Sequence, residues 1–316
     1  MPQPAAALGE RRHRGSAYRL WRSYTSHLSL ILMFLPGFVL FFVFEYFPLY
    51  GVLIAFKDYR LLEGVMGSPW AGLAHFERLF TGPGFKDALR NTVIIAALKL
   101  VIAFPAPIIL ALMLNEVRVL LFRKIIQTVS YLPHFFSWVI LSGMMFAFLS
   151  LDGGFNQLLG LIGVEPVSWL LYPDYFYGIL VASDIWQSIG WGSIIYFAAL
   201  AAIDPTLYDA AIVDGAGRGQ RAWHITLPSI MPTVIIVFLL GISGFLSVGF
   251  DQVYNLMTPA TSQVAEILDT YVLRRLLALD YALGTAAGIF KAIVGLALVL
   301  IGNALVKLYD KEQGLW

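Results

Sequence analysis

The sequence predicts an all-α integral membrane protein, a six-transmembrane-helix bundle, on three observations. Of its 316 residues, 59% are hydrophobic and only 13% charged, with a mean hydropathy of +0.76. Globular domains run about 45–50% apolar and about 25% charged, so a soluble chain of this kind would lack the polar surface to cover itself. The apolar residues gather in six runs, each of the roughly 20 residues that a helix needs to cross a bilayer. The runs are also too long, and too little alternating, for the roughly ten-residue strands of a membrane barrel. A net charge of +1 gives no support to nucleic-acid binding. Cys is absent, which removes disulfide and thiolate chemistry, and His13, His27, His75, His134 and His224 lack metal-ligand spacing.

Taken in order, residues 1–27 form an N-terminal tail. Positions 1–16, rich in Pro, Ala and Arg, read as disordered. Positions 17–27 mix aromatic and basic side chains and fit either an interfacial segment or a plain flanking anchor. The first span, 28–56, carries only Glu45 as a charge. It is too long for a signal peptide, contains Pro36 and Pro48, and is followed by no small-x-small cleavage site, so it is expected to be retained. The second span, 91–114, is interrupted by Lys99 and contains Pro105 and Pro107; the third, 125–151, has no Asp, Glu, Lys or Arg and contains Pro133. The fourth, 175–203, contains Asp184; the fifth, 229–250, is uncharged; the sixth, 282–306, contains Lys291. The prolines are expected to kink their helices for packing. The six-span domain thus covers 28–308, and 309–316 is a short C-terminal tail.

Lysine and arginine placement sets the orientation. Arg11, Arg12, Arg14, Arg19, Arg22, Arg118, Arg123, Lys124, Arg218, Arg221, Lys307 and Lys311 put twelve of the 21 basic residues on the side of the tails. Lys57, Arg60, Arg78, Lys86, Arg90, Arg274 and Arg275 lie opposite, over longer loops. Both termini are therefore expected in the cytoplasm. The external segments 57–90 and 251–281 exceed the usual connection length and are candidate docking surfaces for an external partner.

The loop 204–228 is the most unusual segment. Asp204 followed by Pro205 makes an N-cap and first-turn pair, predicting a short helix to about Val213. Gly215, Gly217 and Gly219 permit the reversal that stops it. A second short helix is expected towards Thr226, with Pro228 opening the fifth span. By their own chemistry these residues fit a compact connecting loop as well as a docking element whose small Ala210, Ala211 and Ala216 let another backbone approach.

The loop resembles the EAA motif of ABC-importer permeases. It reads Asp209-Ala210-Ala211, then Asp214-Gly215-Ala216, then Ile225, Leu227 and Pro228, with Asp in place of the motif's leading Glu. Further similarity lies in Tyr131-Leu132-Pro133-His134-Phe135-Phe136-Ser137-Trp138, Asp152-Gly153-Gly154, Ile185 to Ser193, Phe250-Asp251-Gln252-Val253-Tyr254 and Asp269-Thr270-Tyr271. These strings look like carbohydrate-uptake permeases, MalF-like and of the LplB-type branch, over roughly residues 28–316. The resemblance implies the fold of a type I ABC importer permease in a bacterial cytoplasmic (inner) membrane. It implies as partners a second homologous permease subunit, two ATPase subunits that bind ATP and Mg, and an extracytoplasmic sugar-binding protein. It makes 204–228 the coupling loop, with Asp209, Ala210, Ala211, Asp214, Gly215, Ala216, Ile225, Leu227 and Pro228 meeting the ATPase. No Gly-x4-Gly-Lys-Ser/Thr phosphate loop occurs, so no cofactor is expected on this chain, and no catalytic residue.

Polar groups inside a bundle are expensive and point to function. Asp184, Gln187, Ser188 and Trp191 share one helical face of the fourth span, and Tyr196 follows. They offer hydrogen bonds and an aromatic platform for a sugar, though Ser, Gln and Trp serve equally in plain helix packing. Ser243 and Ser247, then Asp251 and Gln252, make a second polar face leading outward from the end of the fifth span. Lys99 and Lys291 lie near mid-depth, where pairing of Asp184 with one of them would relieve both charges and attraction of an anionic sugar is the sharper reading. The expected substrate is an oligosaccharide, with an anionic uronate chain such as alginate within the class that the resemblance suggests. The rival reading is an ion-coupled secondary transporter using Asp184 with Lys99 or Lys291. A membrane-bound enzyme, the third reading, finds no nucleophile–base pair to support it.

Overall fold

The computed structural model describes residues 27–242 and 244–309. The tail reading over 1–26 and 310–316 and the reading of Ser243 fall outside them. Among the described residues the chain is helical, with a lone Lys57–Trp70 bridge and no strand. In order come α1 (Leu28–Phe56), α2 (Ala74–Thr81), α3 (Phe85–Asn115), α4 (Leu120–Tyr131), α5 (Trp138–Phe148) and α6 (Gly154–Gly160). Then follow α7 (Pro173–Ala201), α8 (Pro205–Val213), α9 (Arg218–Ile242), α10 (Phe250–Leu256), α11 (Leu268–Leu277) and α12 (Tyr281–Tyr309). Among the described residues four helices are long and apolar enough to cross a membrane, or six spans if each of two bent pairs counts as one.

Proline shapes the long helices. Widened π turns at Phe42–Tyr46, Lys99–Ala103 and Ala222–Thr226 each come one or two residues before a proline: Pro48, Pro105 and Pro228. A proline lacks the N–H of the α ladder and its ring presses on the carbonyl four residues back; a wider turn takes up that mismatch. At the second of these, the Phe104 amide donates to the Lys99 carbonyl at 2.9 Å, five residues back. The same device makes α9 continuous. The second short helix read in the loop is the first part of α9, and Pro228 sits inside that helix rather than opening it.

The run 125–151 behaves differently. A tight 3-10 turn, Leu132–Phe135, holds Pro133; Phe136 and Ser137 are extended, with ψ 139° and 153°. The helical stretches on either side diverge by 107°. This third run is therefore two helices meeting at a corner.

Helix α7 runs through the middle. It approaches α4 at Gly190, where a Cβ would stand 2.2 Å from the Ser130 carbonyl oxygen, and α3 at Gly192, where a Cβ would lie 3.0 Å from Pro107 Cγ. Three buried clusters hold the bundle. One joins Ile95, Phe176, Leu180, Val253 and Ile267; a second joins Phe85, Leu246, Tyr271 and Leu283; the third, near α8, joins Ile108, Tyr196, Leu200 and Ile230. By contrast every residue of α1 from Leu28 to Tyr50 is exposed, and only its far end, around the buried Ala55, joins the body beside α12.

Candidate functional site

Two regions carry the candidate residues, and the loop between α7 and α9 is the more sharply built. Asp204 caps α8: its Oδ1 accepts from the Thr206 amide at 2.9 Å. Those hydrogen bonds to Thr206 hold the carboxyl below its usual range. The other end closes as a Schellman motif. The Ala216 amide donates to the Ala211 carbonyl at 2.8 Å and the Gly215 amide to the Ile212 carbonyl at 3.1 Å. Gly215 has φ +80°, a conformation that costs a residue with Cβ roughly 1–2 kcal/mol. The Asp214-Gly215-Ala216 string thus has a local structural reason. Helix α8 is set at 72° to α7.

Asp209, Ala210, Asp214, Gly215 and Pro228 are exposed, while Ala211, Ala216, Ile225 and Leu227 are half-buried against the start of α9. Tyr208 Oη and Thr226 Oγ1, 3.0 Å apart, tie α8 to α9. A cleft of about 350 Å³ between them is lined by Ala211, Gly215, Ala216, Arg221, His224 and Ile225. The sequence reading passed over the apolar surface beside the motif: Leu207, Ile212, Val213 (87% exposed) and Trp223 (69% exposed). Singly exposed apolar residues are ordinary; several on a short protruding element mark a contact surface.

The fourth-span stripe is divided. Lys99 Nζ donates to Asp184 Oδ1 at 2.8 Å, to Gln252 Oε1 at 2.6 Å and to the Val248 carbonyl at 2.9 Å. Ser188 turns back on its own helix, donating to the Asp184 carbonyl at 2.6 Å. Tyr196 is buried with Ile108, Leu200 and Ile230. That leaves Gln187, half-buried and with no side-chain hydrogen bond among the described residues, and Trp191, which is 47% exposed. The Trp191 indole lies flat on the His134 ring, centroids 4.5 Å apart and planes 6° off parallel, with Phe135 edge-on at 5.8 Å. His134 Nδ1 is buried and finds no partner among the described residues. The corner at Pro133 brings this ring to α7. The sequence alone gives His134 no role.

A second cavity, of about 750 Å³, opens between α5 and α7. It is lined mainly by apolar side chains, among them Met144, Phe148, Trp169, Tyr175 and Trp186. Ser247 lies apart from both, in a cleft of about 370 Å³ with Gly288, Lys291 and Gly295 of α12. Asp251 is exposed at the start of α10. Lys291 is paired with Asp269 at 2.5 Å. Both intramembrane lysines therefore already have carboxylate partners, which leaves neither as an open anion site.

At the end of the bundle away from α8, the segments 57–90 and 251–281 join in one platform. Arg78 bridges to Asp280 at 2.8 Å, Arg275 donates to the Pro83 carbonyl at 3.2 Å, and Asn91 donates to the carbonyls of Gln263 and Glu266 at 2.9 and 3.0 Å. Glu266 meets Arg274 at 2.6 Å. Burial raises its carboxyl above the usual value, against the pull of Arg274.

Five likenesses bear on this geometry. Residues 103–313 match the family described as "Binding-protein-dependent transport system inner membrane component". The chain is 47% identical to the polygalacturonan/rhamnogalacturonan transport system permease protein YteP of Bacillus subtilis, over 90% of this chain and 89% of that one. It is 45% identical to Protein LplB of the same organism, over 90% of each. Its fold is similar to a solved bacterial ABC transporter involved in the import of the acidic polysaccharide alginate. The TM-score is 0.86 and the identity 40%, covering 92% of this chain and 99% of that one. A solved complex of bacterial alginate ABC transporter with alginate pentasaccharide-bound periplasmic protein matches with the same score and identity, covering 93% and 99%.

Proposed function

The chain belongs to the binding-protein-dependent transport system inner membrane components, and from that premise we propose that it is one half of the translocation path of an ATP-driven importer for uronate-containing oligosaccharides. The observation that carries this reading is α8. It is a short helix, capped at both ends and set off at 72° from α7, and it presents the exposed side chains of Leu207, Ile212 and Val213, 48–87% open. Such a surface suits a cleft in a cytoplasmic ATPase subunit. Two ATPase subunits would bind ATP and Mg; the chain has no phosphate-loop sequence of its own. A second, homologous permease would supply the other half of the path. Lys and Arg placement puts α8 and both termini in the cytoplasm, and the platform formed by 57–90 and 251–281 faces an extracytoplasmic binding protein.

The substrate class draws on two relatives whose names specify acidic polysaccharides, polygalacturonan/rhamnogalacturonan and alginate. The chain's own support is the Trp191–His134 stack beside Gln187. An aromatic face suits the C–H face of a pyranose, and the amide suits its hydroxyls. Motion reaches this site through α7 and α9, which are directly continuous with the α8 loop. Binding of partners can shift the transporter between its states only through unequal affinity for them, so the loaded binding protein and ATP must both favour the outward-open one.

The test is uptake of oligogalacturonides and alginate oligosaccharides by the complete transporter in proteoliposomes, wild type against Gly215→Pro. Proline cannot adopt φ +80°, so the variant is expected to lose ATP-dependent uptake and the retention of ATPase subunits on purification. Full uptake and retention in Gly215→Pro would overturn the coupling assignment. A wild-type transporter that imports neutral oligosaccharides alone would overturn the substrate class.

A further inference from the structure

Lys99 stands at a junction that the import reading leaves without a role. Its ammonium has three protons, and each has an acceptor on a different segment: Asp184 on α7, the Val248 carbonyl in the break between α9 and α10, and Gln252 on α10. Its side chain is only 16% exposed and that of Asp184 23%. Gln252 is fully buried and passes the connection on, donating through Nε2 to the Leu180 carbonyl and to Ser183 Oγ, each at 2.8 Å. Gly249 is the residue that permits so close an approach. It has φ +89°, and a Cβ there would stand 3.2 Å from Lys99 Nζ. Lys99 itself opens the π turn Lys99–Ala103, a local departure from α geometry of the kind found often at functional positions.

Neutralising one buried carboxylate needs one bond. Here two of the three bonds go just past the break that ends α9, to Val248 and to Gln252 of α10, and α9 is the span whose near end is continuous with the α8 loop. We propose that Lys99 is a positioning residue that pins the outer end of the fifth span to the second and fourth. The span then swings about that fixed end when the α8 loop is moved. The proposal rests on the import reading and deepens it: displacement at α8 becomes rotation of α9 only if the far end is held. Without the pin the segment beyond the break would drift along with α9, and the movement would be spent there. ATP would be hydrolysed with the path little changed.

The discriminating variants are Lys99→Met/Asp184→Asn and Gln252→Leu, studied in the complete transporter with its binding protein. The first leaves no unpaired charge but frees Val248 and Gln252; the second keeps the ion pair and breaks the link to α10. Both are expected to assemble, to hydrolyse ATP, and to import roughly tenfold less sugar per ATP hydrolysed, within the usual span of allosteric coupling. If Lys99 serves only to neutralise Asp184, both variants will import at the wild-type ratio, and the proposal falls.

A second measurement uses the absence of native Cys. Spin labels on Val93→Cys/Tyr254→Cys report the outer end, and on Met113→Cys/Ser229→Cys the end near α8. In an otherwise wild-type chain the outer separation should be the same in nucleotide-free and ATP-trapped states, while the other changes. In Lys99→Met/Asp184→Asn the outer separation should vary with state. An outer separation that already varies in the wild-type background overturns the pin. A failure of the import reading would show elsewhere, as a wild-type transporter without ATP-dependent uptake.

Discussion

His134 and Trp191, 57 positions apart in the chain, stack ring on ring with centroids 4.5 Å apart and planes only 6° from parallel. Stacked aromatic pairs contribute about 0.5–1.5 kcal/mol beyond the area they bury. A platform held this way presents a firm face to a sugar ring. His134→Ala and Trp191→Ala are expected to raise the half-saturating concentration for uptake up to roughly tenfold, with the stimulation of ATP hydrolysis by the empty binding protein unchanged. Transport assays across substrate concentration check this. An unaltered half-saturation in both variants would remove the pair from the path.

Gly190 is expected to be intolerant of even one methyl group. Its Cβ would lie 2.2 Å from a backbone oxygen of α4, so relief requires two helices to part. Overpacking of that kind costs about 1–3 kcal/mol. Gly178 of the same helix has nothing within 4 Å of its Cβ position. Thermal unfolding of the purified transporter should show Gly190→Ala melting well below wild type and Gly178→Ala close to it.

Asp204 predicts a pH dependence with a definite sign. Its folded-state pKa lies below the normal carboxylate value because the ionised form accepts from Thr206. The stabilisation is therefore complete above the unfolded-state pKa and is lost as pH falls through the depressed folded-state one. The protection of the Thr206 amide, its hydrogen-exchange rate measured against an unstructured amide at the same pH, should stay constant across the neutral range and fall only in acid. Asp204→Ala should show little protection at any pH, whereas Asp204→Asn, an equally good cap, should keep it.

Lys291 and Asp269 bridge α12 to α11 at 2.5 Å with about a fifth of each side chain exposed. Removing one member of a largely buried pair leaves a charge uncompensated, at roughly 3 kcal/mol, while removing both often costs little. Lys291→Met should lower the melting temperature and the amount of transporter recovered from membranes. Lys291→Met/Asp269→Asn should recover most of both.

Sequence and structure agree most closely where a residue's chemistry admits one solution. Lone charges at mid-depth need partners, and Asp184 has Lys99 while Lys291 has Asp269. Asp204-Pro205 at the start of α8 and Gly215 at its end mark their positions by backbone chemistry, and the structure puts the cap and the positive φ there. The corner in the third run was not legible. Pro36 and Pro232 sit inside helices α1 and α9 without breaking them, so Pro133 alone carries no signal that it ends one. The stripe from Asp184 to Trp191 was legible as a face but not as two roles. Which residues are spent on neighbours depends on α3 and α10, distant in sequence. Leu207, Ile212 and Val213 were passed over because in an apolar chain they look like any other residues. Their meaning comes from standing on an element outside the bundle.

The exposure of α1 has a consequence for the life of the chain before it transports anything. From Leu28 to Tyr50 this helix is exposed throughout, and further along the chain α8 offers exposed Val213 and Ile212. On the importer reading, a newly inserted copy carries two open apolar surfaces, along α1 and on α8, that its partner subunits would cover. A surplus copy keeps both open, where membrane proteases and chaperones act. Its steady-state abundance would then be governed by the supply of its companions rather than by its own rate of synthesis.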